Sequence, residues 1–307
     1  MRLKHTAAQL ADLLCATGRP RRWLGQHFLI DEAVLDSISR LASLGTDVGL
    51  RQILEIGPGA GALTSLLLAL GHRVTAIEID GLACSHLERV FASQIATCSL
   101  ELIEGDGLRE TWPEGITDVV ANIPYQISSP LIEKLRQQSV STCVLMLQEE
   151  FARRLVGQDG PSSRGPLWIS ASLEWHTRLA DRVPPSAFRP QPRVNSRLVL
   201  MQARDLLSDE EVQLDLAGFG GGPPSPRTIR AISASAFAQR RKKMRNSLAR
   251  LPEKLNGRPG WSQTIWEDAL QQAFSTEKTV FADLRPEALD LQDWLRLACS
   301  IEHARNR

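Results

Sequence analysis

The sequence predicts an α/β protein: an open, mostly parallel sheet with helices on both faces, followed by a small all-helical domain. Three observations lead there. From Gln52 onward, short β-type apolar runs alternate with segments of helical spacing, the pattern of successive βαβ units. A glycine-dense turn, Glu55-Ile-Gly57-Pro-Gly59-Ala-Gly61, lies directly between the first such strand and the first such helix. Beyond residue 203 only helical patterns remain.

In chain order, strands are expected over 53–56, 74–79, 100–103, 118–121 and 142–147, with helices over 62–70, 81–92 and 129–138. The later apolar runs 168–175 and 194–201 are joined by Pro-rich sequence and no helix, which predicts an antiparallel pair at one edge of the sheet. The first domain is therefore expected over 1–203 and the second over 204–307. Within the second, 217–228 is dense in Gly and Pro and reads as a linker or long loop. Helices are expected after it over 228–251, 263–274 and 286–298.

Composition excludes several classes. The chain has 307 residues, 36 basic against 35 acidic side chains and 43% apolar residues, enough for a core and unlike disordered, collagenous or disulfide-scaffold sequences. Its five cysteines are odd in number and never spaced as C-x-x-C, so neither a disulfide framework nor a metal site is expected and a reduced, cytoplasmic setting is the simplest reading. No apolar run is long enough to cross a bilayer and no secretory h-region opens the chain, so no membrane partner is expected. Few acids in the first 14 residues leave organellar targeting as an alternative.

The glycine turn suggests a ligand. Glycines let the backbone turn tightly and bring its N–H groups, with the positive end of the following helix, close to a bound molecule. Glu78 ends the next strand about 20 residues on, where a carboxylate can accept both hydroxyls of a ribose. Gly57, Gly59 and Glu78 thus predict an adenosine-type cofactor. Which one stays open, because Gly57-x-Gly59-x-x-Ala62 also satisfies the dinucleotide pattern. Asp106, in Glu104-Gly-Asp-Gly after the third strand, falls at the same edge and could accept from an adenine amino group, although Gly-Asp-Gly is also good turn chemistry.

After the fourth strand stands Asn122-Ile123-Pro124-Tyr125. The lone pair of an exocyclic amine on a base is delocalised into the ring and must be localised before it can attack a sulfonium methyl. The Asn122 side-chain oxygen and the Ile123 carbonyl could accept its two N–H bonds, stabilising developing positive charge without a strong base. Pro124 stiffens the turn, and Tyr125, the only tyrosine in the chain, offers a flat face for a flipped base. Phe188, set among prolines and an alanine before the last strand, is placed to cover the second face; the competing reading is a hydrophobic plug under a Pro-rich loop.

These blocks, together with Gly25-Gln-His-Phe-Leu29, Ile77-Glu-Ile-Asp80, Leu147-Gln-Glu-Glu-Phe-Ala-Arg-Arg154 and Phe188-Arg-Pro-Gln-Pro-Arg-Val-Asn-Ser196, resemble the ribosomal RNA adenine N6-dimethyltransferase family. The wording Tyr125-Gln-Ile-Ser-Ser-Pro130 is most similar to the archaeal and eukaryotic small-subunit branch. The resemblance implies a Rossmann-like, seven-stranded class I methyltransferase sheet, S-adenosyl-L-methionine as cofactor, and dimethylation at N6 of two adjacent adenosines near the 3′ end of small-subunit rRNA during ribosome assembly. It further implies that His27 and Leu29 line the methionine end of the cofactor, Gly57 its backbone cradle, Glu78 the ribose, Asp106 the adenine, and Asn122 the junction of cofactor and target. Departures exist: His27 stands where Asn is common, 166–170 reads Pro-Leu-Trp-Ile-Ser where Tyr-x-Arg-Leu-Ser is frequent, and Asn195 replaces a frequent Asp.

The partner is then expected to be small-subunit rRNA or a pre-ribosomal small subunit, bound by a monomer. Between residues 227 and 250 there are eight Lys or Arg and no Asp or Glu. Arg240, Arg241, Lys242, Lys243 and Arg245 form its densest run, expected on one helix and fit to contact phosphates. A second cluster, Arg19-Pro-Arg-Arg22, precedes the first block. Two rival functions remain at this stage: a large-subunit rRNA methylase of the antibiotic-resistance type, and a non-catalytic nucleic-acid-binding relative, which the intact Asn122–Tyr125 motif argues against.

Overall fold

A computed structural model describes residues 5–18, 20–43, 50–219, 222–275 and 281–306. The strands among the described residues are β1 (Phe28–Leu29), β2 (Gln52–Ile56), β3 (Arg73–Glu78), β4 (Leu100–Glu104), β5 (Asp118–Asn122), β6 (Thr142–Gln148), β7 (Trp175–Val183), β8 (Phe188–Arg189) and β9 (Ser196–Ala203). Seven of them form one sheet in the order β4-β3-β2-β5-β6-β9-β7, and β1 pairs with β8 in a separate two-stranded ribbon. The strands from β4 to β6 are parallel, and β9 runs antiparallel to β6 from Thr142↔Gln202 to Gln148↔Ser196. The five parallel strands are rich in buried Ile, Leu and Val, as strands covered on both faces must be. Chain order reverses between β2 and β5, which opens a crevice at their carboxyl ends where ligands of open α/β sheets bind.

The chain divides into two compact units, residues 1–152 with 177–203 and residues 153–176 with 204–307. This differs from a single cut at 203. The run 168–175, expected as a strand, is mostly the helix Pro166–Glu174, whose buried Ile169 and Leu173 belong to the second unit's core. A short apolar run reads alike as buried strand or helix, and Pro166 sits in the first turn, where the missing N–H costs nothing. The edge strand is instead β7, whose Arg178, Asp181 and Arg182 hide it from an apolar-pattern search and are the charges that discourage edge pairing.

The second unit packs helices Glu210–Ala217, Pro226–Ala238, Gln263–Ser275 and Leu291–Arg305 around fully buried Trp266 and Trp294. The helix expected over 228–251 is broken. It stops at Ala238, residues 239–243 form an exposed turn, and Met244–Ser247 adds one short turn of helix. Five consecutive polar residues give that stretch no apolar face to bury, and tertiary burial is what sustains a helix in water. Likewise the last helix starts at Leu291 rather than 286, because Asp290 and Asp293 form a capping box there. Of the expected linker, Gly220 and Gly221 lie outside the described residues, as do Arg19 and the Arg22 side chain of the N-terminal basic cluster. No helix among the described residues is long and apolar enough to cross a membrane.

Candidate active site

At the carboxyl ends of β2, β3 and β5 lies a cavity of about 280 Å³. The residues expected to hold cofactor and target base all line it: His27, Leu29, Gly57, Gly59, Glu78, Asp106, Asn122, Ile123, Pro124, Tyr125 and Phe188. Parallel strands whose loops all emerge at one edge bring these distant segments together.

The glycine turn behaves differently from the expectation. Gly57, Gly59 and Gly61 adopt φ of +70°, +56° and +88°, where a side chain would be strained. Their amides, however, are already engaged: Gly57 N–H donates to the Ile77 carbonyl at 2.9 Å, Gly61 N–H to the Pro58 carbonyl at 2.9 Å, and Gly59 N–H to Glu78 Oε2 at 2.9 Å. A pyrophosphate needs free loop amides. A ligand that needs only close approach of the backbone fits better, and beyond the missing Gly57 side chain there is open space.

Glu78 is buried, and each oxygen already accepts one backbone N–H, Oε2 from Gly59 and Oε1 from Asp80 at 2.9 Å. Each retains a lone pair for a ribose hydroxyl. Burial, more than any neighbour, pushes its pKa up. Asp106 is half-buried; its Oδ1 accepts from Leu108 N–H at 2.9 Å and its Oδ2 lies 3.4 Å from Arg109 Nε, the contacts of a turn-capping acid at the cavity wall.

On the opposite wall, Asn122 Nδ2 donates to the His27 carbonyl at 3.2 Å, and His27 Nδ1 lies 2.7 Å from the Pro190 carbonyl. The His27 and Tyr125 rings are near parallel, 25° apart, with centroids at 6.3 Å. Tyr125 is anchored by its hydroxyl, 2.7 Å from the buried Ser196 Oγ, and burial raises its pKa. Phe188 is buried in β8, opposite Leu29 of β1. It therefore lines the cavity from within the wall, as a member of the first unit's apolar core.

Three contributors escaped the sequence reading. Glu55, inside the quoted glycine block, is a buried cavity-lining acid that accepts from Thr64 Oγ1 at 2.6 Å. Asp80 clamps the 21–26 turn through Gln26 Nε2 at 2.8 Å and Arg21 at 3.4 Å. Lys134 Nζ donates to the carbonyls of Leu108 and Glu110, at 3.0 and 2.5 Å, in the loop that carries Asp106. Glu55 could have been noticed as an acid within an apolar strand; the other two depend on contacts between distant segments.

In the second unit, Arg240, Arg241, Lys242, Lys243 and Arg245 are all exposed. Three are paired: Arg240 with Glu287 at 2.6 Å and the Ser162 carbonyl at 2.8 Å, and Lys243 and Arg245 both with Asp283 at 2.9 Å. Among the described residues, Arg241 and Lys242 have no side-chain partner.

A seven-stranded sheet with β9 inserted antiparallel, and a switch-point cavity lined by a glycine turn, the buried carboxylate of Glu78 at the end of β3 and an Asn-Ile-Pro-Tyr turn, define an enzyme of the class I methyltransferase fold. The chain belongs to the ribosomal RNA adenine dimethylase family, whose model matches residues 18–218. It is 35% identical over 286 residues to ribosomal RNA small subunit methyltransferase A of Synechococcus sp. strain JA-3-3Ab, covering 91% of this chain and 92% of that protein. It is 37% identical over 223 residues to the probable ribosomal RNA small subunit methyltransferase A of Haloarcula marismortui, covering 73% of each. Among solved structures it resembles a dimethyladenosine transferase from Plasmodium falciparum, with a TM-score of 0.68, 25% identity, and coverage of 88% of this chain and 95% of that one. The 23S rRNA methyltransferase ErmE shares the fold, with a TM-score of 0.59 and 24% identity over 89% of this chain and 99% of that one.

Proposed function

We propose that this chain is an S-adenosyl-L-methionine-dependent rRNA adenine N6,N6-dimethyltransferase. It acts as a cytoplasmic monomer on two adjacent adenosines near the 3′ end of small-subunit rRNA, within a pre-ribosomal particle. The observation that carries the reading is the fixed amide of Asn122: with Nδ2 bound to the His27 carbonyl, Oδ1 remains as an acceptor beside the cavity. The engaged glycine amides favour S-adenosyl-L-methionine, which has no phosphate, over a dinucleotide.

Bound in this cavity, S-adenosyl-L-methionine would supply an electrophilic sulfonium methyl, with the thioether as leaving group. Glu78 would hold the ribose and Asp106 the adenine; Gly57, with open space where a side chain would stand, would let the cofactor approach the backbone, Gly59 would hold Glu78 in place through its N–H, and His27 and Leu29 would bound the methionine end. Asn122 Oδ1 and the Ile123 carbonyl accept the two N6–H bonds, drawing the lone pair out of the ring. Tyr125 stacks on one face of the flipped base and Phe188 closes the other. The proton released from N6 leaves to water, so no strong base is needed, and the acceleration comes from positioning and electrostatics. Arg241 and Lys242 meet RNA phosphates first; Arg240, Lys243 and Arg245 do so by exchanging carboxylates for phosphates.

The test is direct. Purified protein, S-adenosyl-L-methionine and unmethylated small subunits should yield N6,N6-dimethyladenosine on mass spectrometry of digested nucleosides. Absence of any N6-methylated adenosine would overturn the reading.

A further inference from the structure

Of the seven tryptophans, all within the described residues, six are buried or half-buried and Trp23 alone stands 73% exposed. An indole left in water forgoes the burial that stabilises the other six. Trp23 sits on the one-turn helix Arg22–Leu24 and lines the same cavity as Asn122 and Tyr125.

Its turn is held from two sides. Arg21 N–H donates to Gln26 Oε1 at 2.7 Å, Gln26 Nε2 to Asp80 Oδ2 at 2.8 Å, and the Arg21 guanidinium lies 3.4 Å from Asp80 Oδ1. Asp80 is itself buried and also caps the helix Gly81–Val90. On the other side Gly25, at φ +64°, packs so tightly on Gln126 that a Cβ would come within 2.6 Å of Gln126 Oε1. The backbone beneath the indole is thus tied to the strand end carrying Glu78 and to the turn carrying Tyr125. A preorganised, exposed aromatic at a cavity mouth presents a flat apolar face to whatever enters.

We propose that Trp23 is the stacking platform for the unpaired purine next to the adenosine being methylated. The inference rests on the function proposed above. RNA bases splayed from single strands are held on aromatic faces, and two adjacent target adenosines mean that, while one occupies the pocket, the other needs a surface outside it. Stacking is indifferent to which of the two is inside, as modifying both in turn requires.

The experiment compares wild type, Trp23→Phe and Trp23→Ala, all full length, with unmethylated small subunits as substrate and melting temperature as the control for folding. Trp23→Ala should raise KM for the subunit roughly 5- to 100-fold, the loss typical of one stacked base, with cofactor Kd unchanged and Trp23→Phe retaining most of the affinity. In parallel, a single-stranded RNA oligonucleotide containing adjacent adenosines should quench wild-type tryptophan fluorescence more than that of Trp23→Phe. Wild-type KM in Trp23→Ala, or a weakened cofactor Kd with unchanged KM for the subunit, would overturn the proposal, the latter assigning Trp23 to the cofactor. If the wild type methylates nothing, the function reading fails separately, and the quenching difference still decides whether Trp23 meets RNA.

Discussion

Asn122 Nδ2 donates to the backbone carbonyl of His27 at 3.2 Å. A carbonyl oxygen only accepts, so the contact itself fixes which end of the amide faces His27 and leaves Oδ1 as the free acceptor. Asn122→Ala should therefore lower methyl transfer by about 100- to 1000-fold, the range seen when one preorganised polar group is removed from a transition state. Cofactor affinity should change little. Asn122→Asp should fail as well, because a carboxylate cannot donate to the His27 carbonyl. Nucleoside mass spectrometry reads the first quantity and calorimetry the second; an active Asn122→Ala would remove the assigned role.

Lys134 links the two halves of the site. Its ammonium donates to the Leu108 and Glu110 carbonyls and lies 5.0 Å from the centroid of the Trp112 ring, whose Nε1 donates to the Gly107 carbonyl at 2.9 Å. The loop so held carries Asp106, while Lys134 itself sits on the helix Ser128–Leu135 that follows Tyr125. Charged hydrogen bonds contribute about 1.5–3 kcal/mol each. Lys134→Met should thus raise the cofactor KM at least about tenfold with kcat largely kept, and Lys134→Arg should recover part of the loss. Steady-state kinetics at saturating RNA measures the split, and an equal fall in kcat would place Lys134 elsewhere in the mechanism.

What the sequence revealed about this site and what it concealed differ for physical reasons. That Gly57, Glu78, Asp106 and Asn122 share one cavity is legible because loops of a parallel sheet emerge at its strand ends, and strand ends can be located from apolar runs. The amide engagement of Gly57, Gly59 and Gly61 was not, because a glycine turn has the same spelling whether its N–H groups face a ligand or its own chain. The helix Pro166–Glu174 reads equally as a strand in the sequence, since its apolar run is too short for periodicity to decide. The polar edge strand β7 offered no apolar run at all. Lys134 and the Asp80 clamp depend on long-range contacts that no local pattern encodes.

The basic turn of the second unit separates into two groups with different consequences for RNA. Arg241 and Lys242 have no side-chain partner among the described residues, whereas Lys243 and Arg245 share Asp283, whose pKa the Lys243 hydrogen bond lowers first of all. Reversing charge at Arg241 and Lys242 together should flatten the logarithmic salt dependence of RNA binding by about two, one for each lost phosphate contact. Asp283→Asn should do the opposite by releasing two cations, tightening binding at low salt. Affinities measured across a salt series test both, and an unchanged slope in the double reversal would take this turn out of the interface.

Glu55 makes stability depend on pH in the direction opposite to an ordinary surface carboxylate. It is fully buried, and burial pushes its pKa from 4.5 to about 8 despite the hydrogen bond from Thr64, which favours the ionised form. Between these two values the folded chain keeps a proton that the unfolded chain has released. Stability should then decline as pH rises from about 4.5 towards 8 and level off above it. Glu55→Gln preserves the shape and an acceptor for the Thr64 hydroxyl without a proton to lose. The variant and wild type should differ little near pH 4.5, and the variant should gain by up to about 1.4 kcal/mol per pH unit above that. Some slope should persist in the variant, because burial shifts Glu78 upward too. Urea unfolding midpoints at pH 5, 7 and 8.5 measure the difference; parallel profiles would mean that Glu55 is already ionised in the folded protein at neutral pH.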